Sequence, residues 1–169
     1  MPTSTHVTEI IADADVPLVR ITREFDAPPD KVFRAHTDPE LVAQWLAPRR
    51  HDMRIDHYDC RTGGSFRYVH SSGGHDHGFR GCFHEVRPAE LIVQTFTYEG
   101  FPDGVALERL VFEDLGDGRT RLASTSLVDS FEGRDAVLSS GMEEGLRECH
   151  ERLDELLARR TPAEGSETT

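Results

Sequence analysis

Lysine is all but missing from this chain: Lys31 is the single one, and every other basic side chain is arginine. With 19 basic against 31 acidic residues the formal net charge is −12. No cluster of positive charge is available to neutralise phosphates, which excludes nucleic acid as a partner. The same shortage disfavours an anionic membrane surface. The arginine bias itself points to a GC-rich bacterial genome. Long apolar runs are also lacking; none approaches the ~20 residues of a membrane span. Met1 to Pro17 carries acids but no basic segment leading into an apolar one, so no signal peptide is expected. The expected compartment is the cytoplasm.

Cysteine is sparse. Cys60, Cys82 and Cys149 are far apart, odd in number and form no CxxC pair, which excludes a disulfide framework. Buried, reduced thiols are expected instead. Also absent are a GxSxG elbow, an HExxH pair and a phosphate loop. Gly63-Gly64 and Gly73-Gly74 are not followed by Lys-Ser/Thr. Cys149 and His150 are neighbours in a helical pattern and point about 100° apart, so they make no simple dyad. No cofactor is implied.

What is there suffices for one domain. A chain of 169 residues with 37% apolar side chains buries roughly 70% of its unfolded surface and needs neither metal nor disulfide. Residues 1–16 show no sustained periodicity and read as an N-terminal tail. Residues 161–169 are small, polar and acidic and read as a C-terminal tail. The domain is expected over 17–160.

Within it, Leu18 to Phe25 alternates apolar and polar residues, a half-buried strand. Pro28 and Pro29 suit the first turn of a short helix carrying Val32, Phe33 and His36. Asp38 with Pro39 opens a second helix expected to run through Trp45 and Leu46 to Pro48. Strands are then expected at 51–60, 64–71, 77–87, 91–99, 105–114 and 119–128. Glycine- and proline-rich turns separate them, and connections this short favour antiparallel neighbours. Finally Leu138, Met142, Leu146, Cys149, Leu153 and Leu156 form an apolar stripe down one helical face. One helix from Arg134 to Arg160 would be roughly 40 Å long. A sheet of seven strands must cover its apolar face, and only that helix is long enough.

This order and its local sequences resemble the SRPBCC or START-like superfamily, more narrowly the branch named for activators of the heat-shock-protein-90 ATPase. The matching pieces are Arg23-Glu-Phe-Asp-Ala-Pro28 with Val32-Phe33, Thr37-Asp-Pro-Glu40, and Trp45-Leu-Ala-Pro48. Asp59-Cys-Arg-Thr-Gly-Gly64 before Phe66, Gly81 with Glu85-Val86 and Pro88, Thr95-Phe96 and Thr120-Arg-Leu122 follow. They span about residues 18–158. The resemblance implies an α+β helix-grip fold: a curved seven-stranded antiparallel sheet, two short helices and one long C-terminal helix. It also implies diverse apolar or amphipathic ligands, with a few cyclases or dehydratases among the relatives. One departure is Gly141-Met142, where the family usually carries Gly-Trp.

Strand alternation supplies a site for such a ligand, the small hydrophobic or aromatic molecule taken as the expected partner. Phe66, Tyr68 and His70 share a face, as do Ile92, Gln94, Phe96 and Tyr98; Glu108, Leu110 and Phe112; and Leu122, Ser124 and Ser126. Leu138, Met142 and Leu146 face them from the helix, and Trp45 is expected near one mouth. The plainer alternative is that these side chains fill the core, which suits Phe66, Leu110, Leu122 and Leu153. Tyr68, His70, Gln94, Glu108, Ser124 and Ser126 fit it less well, because a buried polar group without a partner costs about 1–3 kcal/mol.

An enzyme would use His70 as general base with Glu108 or Tyr68. The histidines at 70, 75, 77 and 84, with His51 and His57 upstream, invite a metal. Their spacing matches no metal motif and His75 and His77 fall on a Gly-rich hairpin, so no metal is assigned. The third reading is a co-chaperone-like adaptor, and a homodimer is compatible with the chain.

Overall fold

The computed structural model describes residues 6–159. Residues 1–5, Arg160 and the expected C-terminal tail lie outside the described residues. The strands are β1 (Glu9–Ala12), β2 (Leu18–Phe25), β3 (Asp52–Tyr58), β4 (Ser65–Ser72), β5 (His75–Arg87), β6 (Leu91–Tyr98), β7 (Ala106–Gly116) and β8 (Arg119–Leu127). They make one sheet in the order β1-β2-β8-β7-β6-β5-β4-β3, antiparallel throughout. The fold is α+β, as expected, but the sheet has eight strands rather than seven. The extra one comes from the segment read as a tail: Glu9–Ala12 pairs with Val19–Thr22.

Gly73 and Gly74 connect β4 to β5 with φ of 58° and 81°. A two-residue hairpin of this hand requires left-handed backbone at both positions, which glycine adopts without steric cost. Register shifts at Ile55/His57, Phe83/Glu85 and Asp114/Gly116 insert extra residues that bend and twist the strands. The sheet therefore curls, and its inner face is concave.

α1 (Pro29–Thr37) and α2 (Pro39–Val42) follow β2. Asp38 caps α2 by accepting a hydrogen bond from the Glu40 N–H at 3.0 Å. That helix stops at Val42 and does not reach Leu46; beyond it the Gln44 and Trp45 N–H groups reach back three residues, to the Leu41 and Val42 carbonyls, as tighter turns. Trp45 accordingly sits in the turn beyond it, 3% exposed. Its indole N–H donates to the Ala35 carbonyl at 2.8 Å. The residue expected at a mouth is part of the core.

The expected single C-terminal helix is two: α3 (Phe131–Ser139) and α4 (Met142–Ala158). Gly141, with φ of 87°, stands between them. Left-handed backbone cannot propagate a right-handed helix, yet the apolar spacing runs on across the break. α4 has 17 residues and is about 26 Å long.

The C-terminal half of α4 is firmly docked. Cys149, Leu153 and Leu157 join Phe25, Val32, Phe83, Ile92 and Phe112 in one core. The buried Arg23 guanidinium grips both Asp154 carboxylate oxygens at 2.6 Å, His150 and Thr8 share a hydrogen bond at 2.8 Å, and Lys31 donates to the Leu157 carbonyl at 2.8 Å. Of the cysteines only Cys149 is buried; Cys60 is half-buried and Cys82 exposed, all three as free thiols.

Candidate functional site

The register places the inner-face residues in rows. One row reads Val19, Ser126, Glu108, Gln94 and Phe83 across five strands. Its ends are closed, with Val19 2% and Phe83 1% exposed. Its three central polar residues keep accessible surface. The next row carries Ile21, Ser124, Leu110 and Ile92, of which only Ile92 is buried.

Above these rows, Leu138, Met142 and Leu146 are half-buried. α4 packs beside α1 and α3, and its C-terminal half enters the core with Phe25, Phe83 and Ile92. The apolar stripe is thus buried at Cys149, Leu153 and Leu157 and half-buried at Leu138, Met142 and Leu146. Aromatic rings flank these rows, where Phe79 and Phe96 stack at 5.5 Å and Phe66 and Tyr68 at 5.8 Å.

The polar row is organised. The Gln94 amide donates to Glu108 at 3.0 Å and the Ser126 hydroxyl also bonds that carboxylate. Burial pushes the Glu108 pKa up, and these two bonds hold it back. The Ser124 hydroxyl is already committed to the Ile21 carbonyl at 3.3 Å. Tyr68 is 5% exposed; burial raises its hydroxyl pKa, and the Glu108 charge adds to this. Tyr68 also stacks on His70 at 5.2 Å.

The residues expected at the site separate into three groups. Gln94, Phe96, Glu108, Leu110, Ser124 and Ser126 on the sheet, with Leu138 and Met142 on the helix stripe, are half-buried. Trp45, Phe66 and Phe112 are core, as is the ring of Tyr68. Tyr98 reaches the rim, 39% exposed, where its hydroxyl and His77 Nδ1 share a hydrogen bond at 2.8 Å. Phe79 and Phe83 are missing from the sequence-based list, although alternation along β5 puts them on the inner face with His77.

His70 and Glu108 are not a catalytic pair. His70 lies opposite His77, while Glu108 lies opposite Gln94 and, one strand on, Phe83. From 77 to 83 is about 20 Å of strand. Glu108 is occupied by Gln94 and Ser126, and no hydrogen bond joins it to His70. The dispersed histidines do not gather either: among the described residues no three His, Cys, Asp or Glu side chains surround one point.

Two of the surface clefts bear on these residues. One of about 210 Å³ is lined by Pro48, Arg50, His51, Ser72 and the first turns of α4 from Gly141 to Glu148. The His51 and His70 rings meet edge to face at 5.9 Å, so His51 stands between the cleft lining and His70. The other, about 340 Å³, includes Arg54, Arg67, Val69 and Tyr98 at the tip of the sheet. Only Tyr98 among the expected site residues borders either one. No helix among the described residues is long and apolar enough to cross a membrane.

The family described as Activator of Hsp90 ATPase homolog 1-like protein matches residues 26–158. Solved structures share the fold. A Mycobacterium smegmatis protein is 25% identical with a TM-score of 0.82, covering 92% of this chain and 99% of that one. A Rhodobacter sphaeroides protein is 27% identical with a TM-score of 0.80, covering 89% and 97%. The AHSA1 protein of Silicibacter pomeroyi is 22% identical with a TM-score of 0.69, covering 83% and 97%. Among curated proteins, none matches the chain.

Proposed function

This chain belongs to the family of Activator of Hsp90 ATPase homolog 1-like proteins, and from that footing we propose that it binds an apolar or aromatic small molecule between the sheet and its C-terminal helices. One observation carries the reading. A polar row closed at both ends keeps accessible surface beneath a helix stripe that is itself only half-buried. A core that simply filled its space would press Met142 and Leu146 onto Leu110 and Phe96 as tightly as Leu153 is pressed at the other end. Aliphatic and aromatic walls with a few fixed polar groups are the usual make-up of small-molecule sites. The Gln94-Glu108-Ser126 row supplies orientation, and the walls supply affinity.

The fluorescent aromatic amine N-phenyl-1-naphthylamine tests this. Saturable binding at one site per chain, weakened about tenfold or more in Met142→Trp and Leu110→Trp variants that fill the space between sheet and helices, is the expected result. Absence of saturable binding, or filled variants that bind like the parent while keeping its unfolding temperature, rejects it.

A further inference from the structure

Two nitrogen atoms near the cleft at the start of α4 have no partner. His51 Nδ1 and His70 Nε2 are both shut away from solvent, and neither makes a hydrogen bond among the described residues. Buried polar atoms are nearly always paired, and each exception calls for an explanation. His51 is fixed by its backbone N–H, which donates to the Pro48 carbonyl at 2.9 Å, and it lines the cleft at the start of α4. His70, 9% exposed, is held between Tyr68 and Phe79, with ring centroids 5.2 and 4.9 Å away.

We propose that His51 and His70 read a hydroxyl group on an aromatic ligand, making this chain a binder of phenol-like molecules. The inference rests on the binding reading above and adds the chemistry of its ligand.

The roles follow from the tautomers. The Leu46 carbonyl accepts a hydrogen bond from His70. Because Nε2 is the orphan, that donor is Nδ1–H. In a neutral ring the other nitrogen then carries a lone pair and can only accept. His51 Nδ1, in a neutral ring, can present a proton. One group that donates to the first and accepts from the second satisfies both, and a hydroxyl does so with a single oxygen.

Ions fit less well. A carboxylate offers no donor to His70. An ammonium would suffer the penalty that already keeps His70 from protonating, since burial, with His51 and His77 nearby, depresses its pKa to about 4. A metal would have these two imidazoles only, no third ligand joining them among the described residues. The aromatic body of the ligand follows from the neighbours: Tyr68, Phe79 and Phe96 are in ring-to-ring contact in succession from His70.

The test compares 2-naphthol with 2-methoxynaphthalene, which keeps the oxygen acceptor but lacks the donor, by titration calorimetry or ligand fluorescence. The parent protein should bind 2-naphthol about tenfold tighter, the scale of one buried hydrogen bond. His70→Phe should bring the two probes within about twofold, whereas His51→Phe, which removes the donor that both probes accept from, should weaken both alike and keep their ratio; the second position guards against one variant failing to fold. Equal binding of both probes to the parent overturns the hydroxyl reading and leaves the binding reading standing. A preference that survives His70→Phe also overturns it, by locating the recognition elsewhere, as does His51→Phe binding both probes like the parent. No saturable binding of either probe removes the binding reading as well. Stoichiometric zinc uptake abolished by either substitution, without a naphthol preference, would make the pair a metal site instead.

Discussion

Buried histidines dominate the chemistry of single residues here. Burial depresses the pKa of His36 to about 4 and of His150 to about 3, against about 6.5 in an unfolded chain. The unfolded state therefore binds protons first as the pH drops. Stability from each is complete above pH 6.5 and is lost on acidification until the folded value is reached, at up to about 1.4 kcal/mol per pH unit. Glu108 works with the opposite sign, its raised pKa favouring the fold on the acid side. Asp13, Glu99 and Glu155 have lowered values and matter only below the ordinary carboxylate range. Urea unfolding from pH 7 to pH 4.5 should show stability falling. His150→Gln should flatten the slope by up to the contribution of one histidine. A slope unchanged in that variant would show that His150 is not neutral in the fold. None of this was legible in the sequence. His150 owes its environment to Thr8 and Phe25, more than a hundred residues away, and no local pattern announces such neighbours. The inward polar set was legible, because period-two alternation assigns a face to every strand residue once the register holds.

Secondary-structure elements were legible where periodicity and turn chemistry agreed. Asp38-Pro39 and the Gly-rich hairpin fall where expected. The stripe from Leu138 to Leu156 concealed a break, because apolar spacing reports which face is buried and says little about backbone handedness. Gly141 and Gly145 look alike in the sequence and differ in the fold. At Gly141 any side chain meets left-handed backbone, costing about 1–2 kcal/mol. At Gly145 an added Cβ would meet only Pro48 Cγ at 3.5 Å, an ordinary contact, and alanine raises helix propensity by up to about 1 kcal/mol. Gly141→Ala should lower stability and Gly145→Ala should leave it unchanged or raise it. Thermal unfolding of the two variants decides the matter, and a reversed order would contradict the placement of the break. β1 was illegible for another reason. Four residues at a sheet edge, three of them not buried enough to show alternation, carry too little pattern, and only pairing with β2 makes them a strand.

At the scale of the whole molecule, three bulges curl the sheet and the helical break lets α3 and α4 lie across it at different angles. Sequence fixes neither the curl nor the tilt, so the space between was open to inference but not to measurement. The C-terminal half of α4 is docked by Arg23, Leu153 and Leu157; the proposed open end lies over Gln94, Glu108 and Leu110. The central claim is that this open end takes up an aromatic molecule. Backbone and methyl NMR spectra recorded during a titration with 2-naphthol address it directly. Shift changes should cluster at Gln94, Phe96, Leu110, Leu138 and Met142, and spare the convex residues Arg20, Arg109 and Thr125. Changes concentrated on that convex face, or none at saturating probe, would contradict it.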